Sequence, residues 1–292
     1  MSASEAQDFL DQARGRRLRR IRQLDLGGLL LALVTLLATI VWAFPLIYAT
    51  FGAFAPRDAS AGSGSFLLDI AATIGLYAHV LFGTEIGLWY VNSLVTSSAV
   101  TAGVLFISAT CGYAISQLDF RGRKLLWVMI LMSFMVPIQA LIINHFFLMN
   151  QLHLINTWLG VILPQLIAPV AVIVYKQFFD SVPRELREAA MIDGATHRQL
   201  LFGVFLPVNW GITAALAIIV FIGAWNAFLW PFLVVTEEPL MNISVGITQA
   251  RQAFGVGELA GALLTGLPVA VVYLIFQRRV TEAIIVSAGI KG

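Results

Sequence analysis

The chain has 292 residues, 59% hydrophobic and 12% charged, with a formal net charge of +2 and a mean hydropathy of +0.86. Soluble domains are about a quarter charged, so the composition excludes one and indicates an integral membrane protein. The single cysteine, Cys111, lies in an apolar run; it excludes an internal disulfide and reads as a small buried hydrophobe.

From the N-terminus, Arg14, Arg16, Arg17, Arg19, Arg20 and Arg22 precede an uncharged run from Leu26 to Pro56. That run far exceeds the roughly 7–15-residue core of a cleavable signal. It is expected to be a retained first span, with residues 1–25 as a cytoplasmic tail. "RGRRLRR" reads as an anchor before that span rather than a nucleic-acid patch or a twin-arginine export signal. Residues 66–83 are moderately apolar and read as an outer loop with a short interfacial helix. A crossing there would turn the basic segment "DFRGRK" outward.

A crossing takes about 20 apolar residues. Ile86 to Leu118 supplies the second. Leu125 to Tyr175 holds no Asp, Glu, Lys or Arg and is too long for one crossing. The polar patch "NQLHLIN" (Asn150 to Asn156) divides it into the third and fourth. Gln199 to Thr236 contains the fifth, and Leu259 to Gln277 is the sixth. Pro45, Pro137, Pro164, Pro169, Pro231 and Pro268 fall inside these runs and are expected as kinks. Six crossings put both termini on one side. With that side cytoplasmic, 16 of the 18 Lys and Arg face the cytoplasm, leaving only Arg57 and Arg251 outside. The expected fold is therefore an all-α membrane protein with six transmembrane helices and both termini cytoplasmic, residues 26–292 forming one membrane domain.

Between the fourth and fifth spans stands a charged, glycine-punctuated segment, residues 183–207. Residues 184–193 read as a helix with Leu186, Ala189 and Ala190 on one side and Arg184, Arg187 and Glu188 on the other. Pro183 suits its first turn, with Asp180 and Ser181 as plausible starters. Gly194 is expected to stop it in the left-handed conformation. Thr196 and Gln199 have capping-box spacing for a second helix that runs to Pro207. Two alanines would admit a partner surface closely, and Glu188 could pair with a basic group there.

This segment resembles the EAA signature of ATP-binding-cassette importer permeases, which reads E-A-A, three residues, G, nine residues, I-x-L-P. Glu188, Ala189, Ala190 and Gly194 match; Val204 stands at the isoleucine, and Leu206 and Pro207 complete the pattern. "MIDGA" around Gly194 is similar to the carbohydrate-importer branch. The ending "SAGIKG" also favours that branch, while "LYAHVL" with "YVNSL" (Tyr90 to Leu94) resembles the family's entry to the second span and "WNAFLWPFLV" (Trp225 to Val234) its fifth-span signature. The likeness is to the second of two paired permeases in maltose-type importers.

The resemblance implies a bacterial or archaeal cytoplasmic-membrane permease that imports a sugar or oligosaccharide delivered by an extracytoplasmic solute-binding protein. Its implied partners are a second, paralogous permease and a dimer of ATPase subunits. Residues 184–193 would then be a coupling helix, with Glu188 pairing across the interface, Ala189 and Ala190 giving a close fit and Gly194 the turn. The tail residue Lys291 would contact the ATPase. The chain holds no G-x-x-x-x-G-K-[ST] loop, so it is not expected to be an enzyme; ATP and magnesium would belong to the partner. Polar residues within spans usually face protein or a cavity, which makes Asn92, Gln139, Asn144, Gln165, Trp225 and Asn226 candidates for the solute pathway, with Tyr113 and Trp230 as possible stacking platforms. His145 and His153 are isolated, and neither a metal-ligand cluster nor a nucleic-acid surface is expected. Two alternatives stand beside the sugar importer: an importer of the same class for a polyamine or amino acid, and an ion-coupled secondary transporter. The lack of Asp, Glu, Lys and Arg within spans two to five counts against the second.

Overall fold

The computed structural model describes residues 26–53, 85–254 and 263–274, with Ala78, Phe82, Gly83 and Gly261. The arginine-rich tail, most of the outer-loop segment 66–83 and the C-terminal "SAGIKG" with Lys291 lie outside the described residues. The described residues are helical, with no strand among them. Packing divides the chain into residues 1–52 and 53–292.

In the first unit, α1 (Leu26–Ala53) runs 28 residues and continues through Pro45. Its threonines return their hydroxyls to the backbone one turn back, Thr35 to Leu31 and Thr39 to Thr35, which neutralises them in an apolar surround.

In the second unit the central element is α2 (Ile86–Gln117), 32 residues long. One stripe of it is buried, including Trp89, Ser93, Ser97, Val100, Val104, Ser108 and Gly112. Small residues on that stripe let other backbones approach. At Gly112 an added Cβ would lie 2.8 Å from the Tyr175 Cβ and 3.1 Å from the Lys176 nitrogen, so two helices cross almost in backbone contact there.

Three helix pairs follow, each long and apolar enough to cross a membrane as a unit and each bent. α3 (Arg123–Phe134) meets α4 (Ile138–Gln151) at 94°, α5 (Trp158–Leu166) meets α6 (Pro169–Asp180) at 48°, and α8 (His197–Val208) meets α9 (Trp210–Trp225) at 83°. Between the last two pairs lies α7 (Arg184–Ile192). After α9 come α10 (Leu229–Val234), a 3₁₀ turn at Glu238–Leu240, α11 (Ile243–Phe254) and α12 (Leu263–Leu274). Among the described residues the second span coincides with α2; α12 lies inside the expected sixth span but is shorter than a crossing requires. The patch at Asn150–Asn156 is the expected divider, a turn with His153 and Asn156 at positive φ (55° and 57°). The proline expectation divides. Pro137 lies in the break at the sharpest bend and Pro169 starts a helix, where its missing N–H costs nothing.

Two cores grip opposite ends of α2. One gathers Trp89, Met241, Ile243, Val234 and Trp225 around its start. The other gathers Tyr113, Tyr175, Phe179, Leu200, Leu201 and Phe205 around its end. The second core fixes the segment of greatest functional interest.

Candidate coupling site

α6 ends at Asp180, whose carboxylate accepts a hydrogen bond from Ser116 Oγ (2.6 Å) and forms an ion pair with Lys176. Ser181 caps α6, its hydroxyl donating to the Phe178 carbonyl at 2.7 Å. Asp180 and Ser181 therefore close one helix rather than start the next. The residue before a proline is pushed out of the helical region, so α7 begins only after Pro183, which sits at the N-cap instead of in the first turn.

α7 stops at a Schellman motif. The Gly194 N–H donates to the Met191 carbonyl and the Ala195 N–H to the Ala190 carbonyl, both at 3.0 Å, with Gly194 at φ +81°. The capping box of α8 forms as expected: Gln199 Oε1 accepts from the Thr196 N–H at 2.8 Å, and Thr196 Oγ1 accepts from the Gln199 N–H at 3.4 Å. Stop, turn and restart thus occupy five consecutive residues, Ile192 to Thr196.

The face of α7 that turns inward is rotated from the sequence expectation. Arg187 is half-buried rather than outward beside Glu188. Its Nη1 donates to Gln117 Oε1 at 3.3 Å, while its Nε is buried without a hydrogen-bond partner. The cause is a cleft of about 630 Å³ beneath α7, closed by the ends of α2 and α6 and lined by Ser116, Gln117, Asp180, Arg184, Arg187 and Glu188, among others. Gln117 also donates to the Phe179 carbonyl at 3.2 Å, so one amide ties α2, α6 and α7 together. Ala190 packs against the aromatic core, whereas Ala189 is exposed. The two alanines serve different neighbours. The outer face carries Glu185 and Ala189 with Leu186 and Ile192, the last 87% exposed; Glu188 is exposed at the edge of that face, where it also borders the cleft. Among the described residues Glu188 has neither ion pair nor hydrogen bond.

α8 contains a wide π turn at Leu201–Phe205 followed by Leu206 and the exposed Pro207, and it meets α9 at the buried Asn209. Phe205 meets Tyr113 edge-on at 5.3 Å and Phe179 at 5.6 Å. The Tyr113 hydroxyl lies 3.1 Å from His197 Nδ1. Asn209 Nδ2 donates to the Phe205 carbonyl at 2.8 Å, and the Asn209 carbonyl accepts from Ile212 and Thr213 at 3.1 Å. The 83° elbow is therefore hydrogen-bonded on both sides. Sequence reasoning missed Gln117, Arg187, Phe205 and Asn209 as parts of this site. Only the last two carried a local signal, their place beside Leu206 and Pro207.

The candidate pathway residues separate into two groups. Asn92 is 4% exposed and fully engaged: Nδ2 donates to the Pro239 and Met241 carbonyls at 2.8 and 2.9 Å, and Oδ1 accepts from Trp158 Nε1 at 3.1 Å. Trp225 is buried, stacks on Phe221 at 5.8 Å and donates to the Thr265 carbonyl at 3.2 Å. Gln165 turns back on the Val161 carbonyl at 2.8 Å. Gln139, Asn144 and Asn226 are exposed. Tyr113 belongs to the aromatic core, and Trp230 Nε1 lies 3.2 Å from the carbonyls of Gly160 and Val161. No group of three or more His, Cys, Asp or Glu able to hold a metal occurs among the described residues.

Residues 99–285 match the family model described as "Binding-protein-dependent transport system inner membrane component". The chain is 32% identical over 255 residues to the arabinooligosaccharides transport system permease protein AraQ of Halalkalibacterium halodurans, covering 85% of this chain and 91% of that one. It is 34% identical over 230 residues to the sn-glycerol-3-phosphate transport system permease protein UgpE of Pectobacterium atrosepticum, covering 77% and 82%. Among solved structures it resembles a chain of a bacterial ABC transporter involved in the import of the acidic polysaccharide alginate. The TM-score is 0.75 at 21% identity, over 88% of this chain and 97% of that one; the likeness is one of fold.

Proposed function

The chain belongs to the family of binding-protein-dependent transport system inner membrane components, and from that premise we propose that it is the sugar- or oligosaccharide-importing permease of an ATP-driven transporter in a bacterial cytoplasmic membrane. Its relatives named above act in arabinooligosaccharide and glycerol-3-phosphate transport, which favours a carbohydrate or polyol-derived solute over a polyamine or amino acid. Residues 26–292 form the membrane domain. The two long helices and three bent pairs support up to five crossings, each bent pair counted as one, and the apolar run Leu259–Gln277 around α12 is assigned the sixth. The basic residues then set both termini and α7 in the cytoplasm.

One observation carries the reading. α7 presents an outer face of Ala189 and Ile192 with unpartnered Glu188 at its edge, while its inner face is fixed to the ends of α2 and α6. Such a helix can be gripped from outside and moved without coming loose. ATP hydrolysis resides in a partner dimer. Closure of that dimer displaces α7, and Gly194 passes the displacement to α8. The elbow at Asn209 turns it into a tilt of α9 within the membrane. Ligand on the partner thus biases two states of the membrane body. A second permease and an extracytoplasmic binding protein complete the assembly, and Lys291 lies in a tail that contacts the ATPase. Gln139, Asn144 and Asn226, exposed in this subunit, are the pathway residues that a paired permease would enclose.

The test is Glu188→Lys in the transporter assembled in its native host. The variant chain should reach the membrane in normal amount, because Glu188 has no partner within it. ATPase co-purification and solute uptake should each fall more than tenfold, as expected when one side of a charge pair is reversed, about 2 kcal/mol or more. Normal uptake with normal assembly would remove α7 from its coupling role.

A further inference from the structure

Beside the coupling cleft, and sharing Asp119 and Arg123 with its lining, a second cavity of about 980 Å³ opens between the end of α2, the turn at residues 118–122 and the start of α3. Its wall includes Ile115, Phe120, Leu125 and Trp127, and its cations are Arg121, Arg123, Lys124 and Lys176. Two of these are matched within the chain. Arg123 pairs with Asp119 at 2.9 Å, and Lys176 pairs with Asp180 while its Nζ stands 5.0 Å from the Trp127 ring centroid. Arg121 and Lys124 have no ion pair or side-chain hydrogen bond among the described residues. The cavity therefore carries an excess of two positive charges above an apolar wall.

Its position decides what fits. α2 and α3 are apolar helices that end and begin at this turn, and the exposed side chains of Leu125, Val128, Met129 and Met132 continue down α3 from the cavity. A ligand that matches the whole site needs an anionic head for Arg121 and Lys124 and hydrocarbon for the wall and the α3 track. We propose that this cavity binds the phosphodiester headgroup of an anionic phospholipid, with the acyl chains lying along α3. A free phosphate would leave the wall unused, and a soluble acidic peptide would have to reach a surface bordered by bilayer. Basic pockets at helix ends are the sites where such headgroups bind. The proposal does not depend on which solute is carried.

The experiment is native mass spectrometry of the full chain, with its co-purifying subunits, released from nanodiscs of equal phosphatidylglycerol and phosphatidylethanolamine. Phosphatidylglycerol should be retained preferentially. The paired change Arg121→Gln with Lys124→Gln should reduce that preference roughly thirtyfold, and the charge-keeping pair Arg121→Lys with Lys124→Arg should preserve most of it. Undiminished preference in the glutamine pair overturns the proposal. Displacement of the lipid by inorganic phosphate alone also overturns it, by showing a site for the free anion. Should the glutamine pair fail to fold, brominated phosphatidylglycerol is applied to the unaltered chain and to Trp127→Phe. The emission lost in the variant should be the quenched component, and absence of quenching in that component overturns the assignment.

Discussion

Asn92→Leu separates two roles for one residue. If Asn92 lines the solute pathway, its loss alters solute affinity; if it is a clasp, its loss alters stability. The geometry favours the clasp. The amide joins α2 to the Pro239 and Met241 carbonyls before α11 and to the Trp158 indole at the head of α5. Next to it Ser93 Oγ accepts from the Ile243 N–H at 2.8 Å, and the Gly246 Cα faces the Trp89 ring so closely that no side chain would fit between them. Leucine keeps the branching and heavy-atom count of asparagine in a larger side chain, and it leaves two buried carbonyls and one indole N–H unmatched. Three bonds at about 0.5–1.5 kcal/mol each give about 1.5–4.5 kcal/mol; the lower end applies where membrane-buried bonds average about 0.6 kcal/mol. The assay is the denaturant midpoint of the purified transporter, read beside the KM of uptake at a temperature where the variant stays folded. Trp158→Phe removes one of the three bonds and should cost about 1 kcal/mol, and the double variant should cost less than the sum. Stability within about 0.5 kcal/mol of the parent, with a KM changed several-fold, would refute the clasp and return Asn92 to the solute pathway.

Gly194→Ala should cost about 1–2 kcal/mol from backbone conformation alone, because φ is +81° and a Cβ there meets nothing within 4 Å; ATPase activity should uncouple from uptake, and Gly194→Asn should retain more coupling than Gly194→Ala. Phe205→Ala should lower stability by about 3–5 kcal/mol, since Phe205 is 1% exposed amid Tyr113 and Phe179. Phe202→Ala, on the exposed side of the same turn, should cost less than about 1 kcal/mol in the same thermal-unfolding measurement.

The parts of the site that were legible in sequence are those whose causes are local. Gly194 and the Thr196–Gln199 pair act on backbone groups within a few residues of themselves, so their chemistry appears in the order it is written. The inward face of α7 has a remote cause: Arg187 turns in because Gln117 waits 70 residues earlier in the chain, and nothing around Arg187 signals it. Asn92 is similar, with partners 66, 147 and 149 residues away. A polar residue in an apolar run marks a need for partners without saying whether they are solute or backbone. Prolines were uneven guides to bending: Pro137 and Pro169 stand at the 94° and 48° breaks, but others do not bend their helices. α1 continues through Pro45, whereas the 83° elbow forms two residues after Pro207, where Asn209 can satisfy the released groups.

The way the elbow is built bears on how motion could pass through it. A hinge that merely flexed would absorb displacement of α7 before it reached α9. Here the bend is braced: Asn209 bonds back to Phe205 and forward to Ile212 and Thr213, and Phe205 is locked edge-on between Tyr113 and Phe179. α8 and α9 are then constrained to turn as one bent body. The freedom needed for movement must lie on either side of that body. Gly194 offers it on one side, with open space around its Cα. The other side is the Asn226–Phe228 break between α9 and α10, where Asn226 is exposed and, among the described residues, Asn242 Nδ2 donates to the Ala227 carbonyl at 2.9 Å and Ser244 Oγ to the Trp225 carbonyl at 3.3 Å. Stiffening either break should slow transport while leaving the aromatic core intact, whereas softening the elbow by Asn209→Ala should leave ATP hydrolysis running without uptake. Equal loss of both activities in Asn209→Ala would mean that the elbow serves assembly rather than transmission.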